Sequence, residues 1–346
     1  MENELWFIYF TRTGERIASR IAENSHRLRF SIRKIYGSPL AEIVEPIFKR
    51  GNVLVFIGAI GIAVRAIAPL IESKATDPAV IVVDELGKHV IPILSGHIGG
   101  ANRTAKAIAE MIGATAIITT STDVHGVFSV DSYAVENGYT IVDPAMIKIV
   151  STCLLNNDTV SLSSVFPIEG KLPMNIVQSN HGQVGIHIGK THAKPFAQTL
   201  VLLPKCFHVG IGCKRGTSFD TVHEFFLETL EKCTLLPETV GSISSIDLKR
   251  DEQAIIQLAD LYAIPFRTYS AQELRKHEHK FETSDFVRDK TGVGNVCEIA
   301  AWVSSKEGKI VCGKTARNGV TLAVVEEDWI VSFAASTANF HTDCFI

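Results

Sequence analysis

Residues 94–102, LSGHIGGAN, set a hydroxyl (Ser95), an imidazole (His97) and three glycines (Gly96, Gly99, Gly100) between an apolar strand and an amphipathic helix. Glycines let the backbone turn sharply and bring its N–H groups close to a ligand. Ala101, Ala105, Ile108, Ala109 and Ile112 recur at helical spacing. The loop therefore opens a helix whose unpaired N–H groups and dipole favour negative charge. An imidazole titrating near neutrality beside such donors suits addition of water to a carbonyl. In that chemistry His97 is the base and the Gly99 and Gly100 N–H groups are the oxyanion donors. Ser95 joins His97 as a catalytic candidate, and Asn102 joins the glycines as a substrate contact. The plain alternative is a histidine that only caps a strand-to-helix turn.

Three further stretches could serve such a site. TDPAVIVVDELGKHVIPILS reads as strands Ala79 to Val83 and His89 to Leu94 joined by Glu85, Leu86, Gly87 and Lys88, a hairpin by length and turn chemistry. It offers Asp77 and Asp84 as acids near His97, with Asp84 the catalytic candidate, although turn aspartates commonly bond their own backbone. In VGIGCKRGTS (209–218), Gly210, Gly212 and Gly216 shape a turn after an apolar strand, and Thr217 opens a helix with Asp220 in capping-box position. Lys214 and Arg215 add positive charge there. The spacing is not that of a dinucleotide loop, so Gly212, Lys214, Arg215 and Thr217 are substrate contacts for a carboxylate-rich or phosphorylated ligand. TGVGNVCE (291–298) ends on Glu298 in a first helical turn, either complementing the dipole or acting as a catalytic carboxylate.

Other matches carry less. Gly308 to Thr315, GKIVCGKT, fits the phosphate-loop pattern letter for letter, but that loop must lie between a strand and a helix. Lys309 to Cys312 are strand-like and Asn318-Gly319 turns into another strand, so a hairpin is expected and ATP binding is rejected. The separations of His181, His187 and His192 fit neither one helix face nor a strand pair, and no metal site is expected.

The elements that position these loops alternate. Leu5 to Phe10, Val53 to Ile57 and Ala116 to Thr120 read as strands, with a helix from Gly14 to Ala22 and another after the Gly58 and Gly61 turn. The fold expected is α/β, with an open, mainly parallel N-terminal sheet (1–125), an irregular middle segment (126–205) and a separate C-terminal α/β domain (206–346). The middle holds a helix, Ala145 to Leu155, among short β-prone runs. Asp251 to Tyr262 reads as a helix, Pro265 to Tyr269 as a strand, and Ser270 to Glu273 as a capping box.

At 346 residues, 46% hydrophobic and 21% charged, the chain has a globular composition and room for more than one core. A net charge of −3 argues against a general nucleic-acid binder. The seven cysteines, Cys153, Cys206, Cys213, Cys233, Cys297, Cys312 and Cys344, form no C-x-x-C pair, which points to reduced thiols rather than a disulfide frame. Glu2 and Glu4 precede the first apolar run and no run reaches membrane-spanning length, so neither signal peptide nor membrane span is expected and the location is cytoplasmic.

TDPAVIVVDE, LSGHIGGAN, GIGCKRGTS, SIDLKRDE and GVGNVCEIAA, in this order, resemble the cobalt-precorrin-5A hydrolase family of anaerobic cobalamin biosynthesis, over roughly Val53 to Asp123 and Phe207 to Val325. The resemblance implies a ring-contracted cobalt tetrapyrrole with acetate and propionate arms and a δ-lactone, whose hydrolysis releases acetaldehyde. It implies no cofactor of the protein's own, since cobalt comes with the substrate, and partners limited to that substrate, neighbouring pathway enzymes or a second copy. Lys214 and Arg215 would then meet carboxylate arms, and the lactone edge of a disc too large for one loop would face His97. The rival readings are a non-catalytic tetrapyrrole carrier and a nucleotide-dependent enzyme using the Gly308 motif.

Overall fold

Strands β3 (Val53–Ile57) and β4 (Ala79–Val83) are buried at every position, which is what a strand covered on both faces requires. Their alternate side chains enter two different cores. Leu54, Phe56, Val80 and Val82 pack with Val44, Ile47, Ala63 and Ile67 of helices α2 (Leu40–Val44) and α3 (Ile60–Ile67) and the turn after α2. Val53, Val55, Ile57, Ala79, Ile81 and Val83 pack with Ala18 and Ile21 of α1 (Arg12–Glu23) and with Ala101, Ala105, Ile108 and Ile112 of α4 (Ala101–Ile112). The period of two along each strand thus makes a helix-sheet-helix sandwich.

This computed structural model describes residues 4–24, 31–36, 39–73 and 76–333, and the chain divides into two compact units, residues 1–133 and 134–346. The first holds a six-stranded sheet in the order β2-β1-β3-β4-β5-β6, with β1 Glu4–Tyr9, β2 Ser31–Tyr36, β5 His89–Leu94 and β6 Thr115–Ala116. The first four strands in that order run parallel, β5 turns back antiparallel to β4, and β6 is parallel to β5. The mainly parallel N-terminal sheet and the β4–β5 hairpin are both as expected from the sequence. Two local readings are corrected. Gly61 lies inside α3 rather than in the turn before it. Strand β6 pairs only at Thr115 and Ala116, after which the chain leaves the sheet and Ser121–Val124 forms a short helix, α5, where a polar turn was read.

The segment that reads as irregular is organised by a five-stranded sheet, β10-β8-β11-β12-β7. Its strands are β7 Tyr139–Ile141, which lies between α6 (Val130–Glu136) and α7 (Ala145–Leu155), and β8 Val160–Ser164, β10 Ile176–Gln178, β11 Val184–Ile188 and β12 Gln198–Pro204, which follow α7. All pairings are parallel except β12 with β7. Helix α7 buries Ile147, Val150 and Leu154 against β8, β11 and β12. His187 is buried in β11, whereas His181 and His192 are exposed in loops.

The last sheet runs β15-β14-β13-β17-β16, with β13 Phe207–Cys213, β14 Val240–Ile246, β15 Phe266–Tyr269, β16 Lys309–Arg317 and β17 Val320–Glu326. β13, β14 and β15 are parallel, and β17 is antiparallel to both β13 and β16. The phosphate-loop lookalike is the expected hairpin. Asn318 and Gly319 both take positive φ at its tip (49° and 79°), the requirement of a tight two-residue hairpin turn. Helices α8 (Phe219–Lys232), α9 (Gln253–Leu261), α10 (Ala271–Arg275), α11 (Asp285–Thr291) and α12 (Cys297–Ser304) complete this part, and the Ser270–Glu273 capping box is present. Gly210 and Gly212 lie within β13, not in the turn after it. The N-cap of α8 is Ser218, one residue later than Thr217, so Asp220 forms no capping box.

Six cysteines are free thiols and Cys344 lies outside the described residues. Burial pushes Cys206 up to about 12 and Cys297 up to about 11, which removes their nucleophilicity. Among the described residues no helix is long and apolar enough to cross a membrane.

Candidate active site

The loop between β5 and α4 is shaped by its own hydrogen bonds. Ser95 adopts a left-handed φ of 54°, and its hydroxyl donates to the Asp77 carbonyl at 3.0 Å. The Gly100 N–H donates to the His97 carbonyl at 2.9 Å and the Asn102 N–H to the Gly96 carbonyl at 2.9 Å. Gly99 packs directly on Ser95, where any Cβ would collide with the Ser95 Cβ. These contacts leave the N–H groups of Gly96, His97, Ile98 and Gly99 with no hydrogen-bond partner among the described residues.

His97 projects from this loop with its side chain 17% exposed. Its Nδ1 lies 2.7 Å from the Ser132 hydroxyl and 3.1 Å from that of Ser129. Its Nε2 lies 3.2 Å from the Thr122 hydroxyl and 3.9 Å from Asp123 Oδ2. Asp123 is itself fixed. Asn102 Nδ2 and the Thr120 hydroxyl donate to its Oδ2 at 3.0 and 2.7 Å, and Lys106 Nζ donates to its Oδ1 at 2.8 Å. Burial alone would raise the Asp123 carboxyl, but the Lys106 and Thr120 hydrogen bonds and the charges of Lys106 and His97 outweigh it and hold it below the usual carboxylate range. It is an anion at neutral pH.

Topology explains the meeting. β5, α4 and β6 form a parallel strand-helix-strand unit, so the loop after β5 and helix α5 after β6 lie at the same, carboxyl end of both strands, where such units place ligands. Asn102, in the first turn of α4, ties one to the other through Thr120 and Asp123.

The same register separates Asp84 from His97. Val83 pairs with Val90 and Val80 with Leu94, so Asp84 sits at the hairpin turn and His97 beyond the opposite end. Asp84 accepts the N–H groups of Leu86, Lys88 and His89. These bonds overcome burial and lower its carboxyl, so it stabilises the turn and is no acid partner of His97. The Ser95 hydroxyl is turned to the Asp77 carbonyl. The Gly100 N–H is bonded within the loop, to the His97 carbonyl. Asn102 is buried and clamps Asp123 instead of lining an open surface. In the sequence Asp123 reads only as part of a polar turn, although the strand-helix-strand logic places it beside the loop. Ser129 and Ser132, more than thirty residues from His97, left no local signal.

In the second unit, Gly216 takes a φ of 75° and its N–H donates to Glu252 Oε1 at 2.9 Å. Glu252 is buried and also receives Lys249 Nζ at 2.9 Å. A carboxylate of the chain itself, Glu252 at the N-cap of α9, therefore takes one of the donors expected for an anion. The Thr217 hydroxyl donates to the Lys214 carbonyl at 2.7 Å, and that of Thr321 to the Gly212 carbonyl at 3.2 Å. Arg215 is exposed, 3.5 Å from the equally exposed Asp251, a pairing worth little. Lys214 makes no ion pair among the described residues. Glu298 accepts the Lys314 N–H at 2.8 Å and the Asn295 amide, fastening α12 to β16. Both its oxygens are occupied.

Two family models match, described as Cobalamin synthesis G N-terminal over residues 42–123 and Cobalamin synthesis G C-terminus over residues 207–325. The Cobalt-precorrin-5A hydrolase of Salmonella typhimurium is 34% identical over 91% of this chain and 95% of its own length. That of Priestia megaterium is 29% identical over 84% and 83%. A solved structure of a cobalamin biosynthesis protein G homolog from Sulfolobus solfataricus is 23% identical, with a TM-score of 0.41 over 93% of this chain and 97% of that one. With both segments in order and a relative matched nearly end to end, the chain belongs to the cobalt-precorrin-5A hydrolase family.

Proposed function

We propose that this protein opens the δ-lactone of cobalt-precorrin-5A with water and releases acetaldehyde, giving cobalt-precorrin-5B. The observation that carries the reading is the His97 imidazole, hydrogen-bonded at both nitrogens and next to four backbone N–H groups unpaired among the described residues. It lies in a chain whose relative is named Cobalt-precorrin-5A hydrolase. His97 takes the proton of the attacking group, and the Gly96 to Gly99 N–H groups stabilise the oxyanion at the lactone carbonyl. Collapse breaks the ring ester and frees a carbinol. Loss of its hydroxyl proton breaks the carbon–carbon bond to the macrocycle, giving acetaldehyde. The electron pair passes into the conjugated ring, where a proton replaces the lost group.

Val124, 63% exposed and next in sequence to Asp123, offers apolar surface to a macrocycle face. In the second unit Lys214 and Arg215 are the contacts for carboxylate arms. Cobalt enters with the substrate, and the chain supplies no cofactor. The test is purified protein with cobalt-precorrin-5A, acetaldehyde being read by coupled reduction with alcohol dehydrogenase. Release matching lactone opening is expected. Binding of the tetrapyrrole without acetaldehyde would replace the hydrolase with a carrier.

A further inference from the structure

Neither nitrogen of His97 faces an open position. Nδ1 meets Ser132 at 2.7 Å and Nε2 meets Thr122 at 3.2 Å, so the proton within the imidazole's reach belongs to a protein hydroxyl. The surroundings select which one. The Asp123 carboxylate, 3.9 Å from Nε2, favours the ring N–H on that side, leaving the Nδ1 lone pair to accept. Thr122 is on the Nε2 side and buried. Ser129 is farther from Nδ1, at 3.1 Å, and its hydroxyl has a 2.7 Å acceptor in Asp131 Oδ1. Ser132 is only partly buried and makes the shortest contact, the nucleophile–base–orienter arrangement of covalent acyl transfer.

We infer that Ser132 is the nucleophile of the lactone opening, with His97 as its base and Asp123 as the positioning carboxylate behind the ring. The inference rests on the lactone-hydrolase reading above. Ser132 Oγ bonds to the lactone carbonyl carbon as its proton moves to His97 Nδ1. The ring C–O bond then breaks, and the departing alkoxide takes that proton, leaving an ester on Ser132. Water adds to this ester, giving a proton to His97. The C–Oγ bond breaks, Ser132 recovers the proton, and a carboxyl is released. The sum is one ester and one water giving one acid and one alcohol, with no redox partner.

The test uses the full chain and a fluorophosphonate, a serine-directed probe independent of the tetrapyrrole, with peptide mapping. One adduct at Ser132 is expected, kept in Ser129→Ala and lost in His97→Ala. Acetaldehyde release by folded Ser132→Ala should fall at least about a hundredfold, since losing a triad nucleophile costs several decades. No adduct at Ser132, or a smaller fall, overturns the inference. If Ser132→Ala fails to fold, Ser132→Cys is alkylated with iodoacetamide. Faster reaction of the introduced thiol than in the His97→Ala background supports the assignment, and equal rates overturn it. A wild-type protein that labels at Ser132 yet releases no acetaldehyde refutes the lactone-hydrolase reading and leaves the nucleophile standing.

Discussion

At the scale of single residues, the catalytic weight rests on His97 and on what fixes it. His97→Ala should keep the fold and lower turnover by about two to four decades, the range of general-base catalysis. His97→Asn, which can bond Ser132 but cannot accept a proton, should fall as far. A folded variant with near-normal acetaldehyde release would remove His97 from the chemistry. Asp123→Asn keeps the Asn102 and Thr120 contacts but loses the anion, so kcat should drop while KM holds, because the charge acts when His97 becomes an imidazolium. Equal changes in both constants would count against that role. Replacing Lys214 and Arg215 with Ala should do the opposite, raising KM with little effect on kcat and making binding less salt-sensitive. An unchanged KM at low salt would exclude them from the substrate.

At the scale of elements, close approach of backbone explains more than turn chemistry does. A Cβ on Gly210 would strike the Cys297 carbonyl of α12, and backbone cannot step aside. A Cβ on Gly212 would meet only the Thr321 hydroxyl, at 2.6 Å, which can rotate. Gly210→Ala should therefore cost about 3 kcal/mol or more and Gly212→Ala less than about 1.5 kcal/mol, read as urea unfolding midpoints. Equal losses would contradict this packing of α12. That difference was not legible in VGIGC, where both glycines read as turn formers. Strands β3, β4 and β5 and helices α4 and α7 were legible to the residue, because apolar runs and helical spacing are local signals. The middle sheet was not, because its parallel pairs join runs of three to seven residues, such as β8 with β10 and β11, whose partners lie in later segments. The His97 loop was legible as a glycine-rich helix entrance. Its partners Asp123, Ser129 and Ser132 depend on how α5 and the chain before α6 fold back, which no spacing rule encodes.

At the scale of the whole molecule, one strip fastens the second unit. At the end of β17, Glu326 pairs with Lys190 from the loop after β11. The Trp329 indole donates to the Tyr139 hydroxyl at 3.2 Å, and β18 (Val331–Ser332) pairs with β9 (Ile168–Glu169). Between them Glu327 receives Lys306 Nζ at 2.7 Å and lies 3.0 Å from Nε2 of buried His208, whose Nδ1 is 2.7 Å from Ser242. Burial would raise the Glu327 carboxyl, but the hydrogen bonds and charges of His208 and Lys306 prevail and lower it. A carboxyl held below its unfolded value adds stability that is fully present above that value and lost as pH falls through the folded one. Glu327→Gln should thus melt below the wild type at neutral pH, and the gap should close as pH drops below about 4.5, the ordinary glutamate range. Other lowered carboxyls, such as Asp84 and Glu278, weaken both proteins alike in acid, so the difference isolates Glu327. Melting temperatures of the two proteins across that range decide it, and a gap of constant size would show that the Glu327 charge contributes nothing to holding the strip in place.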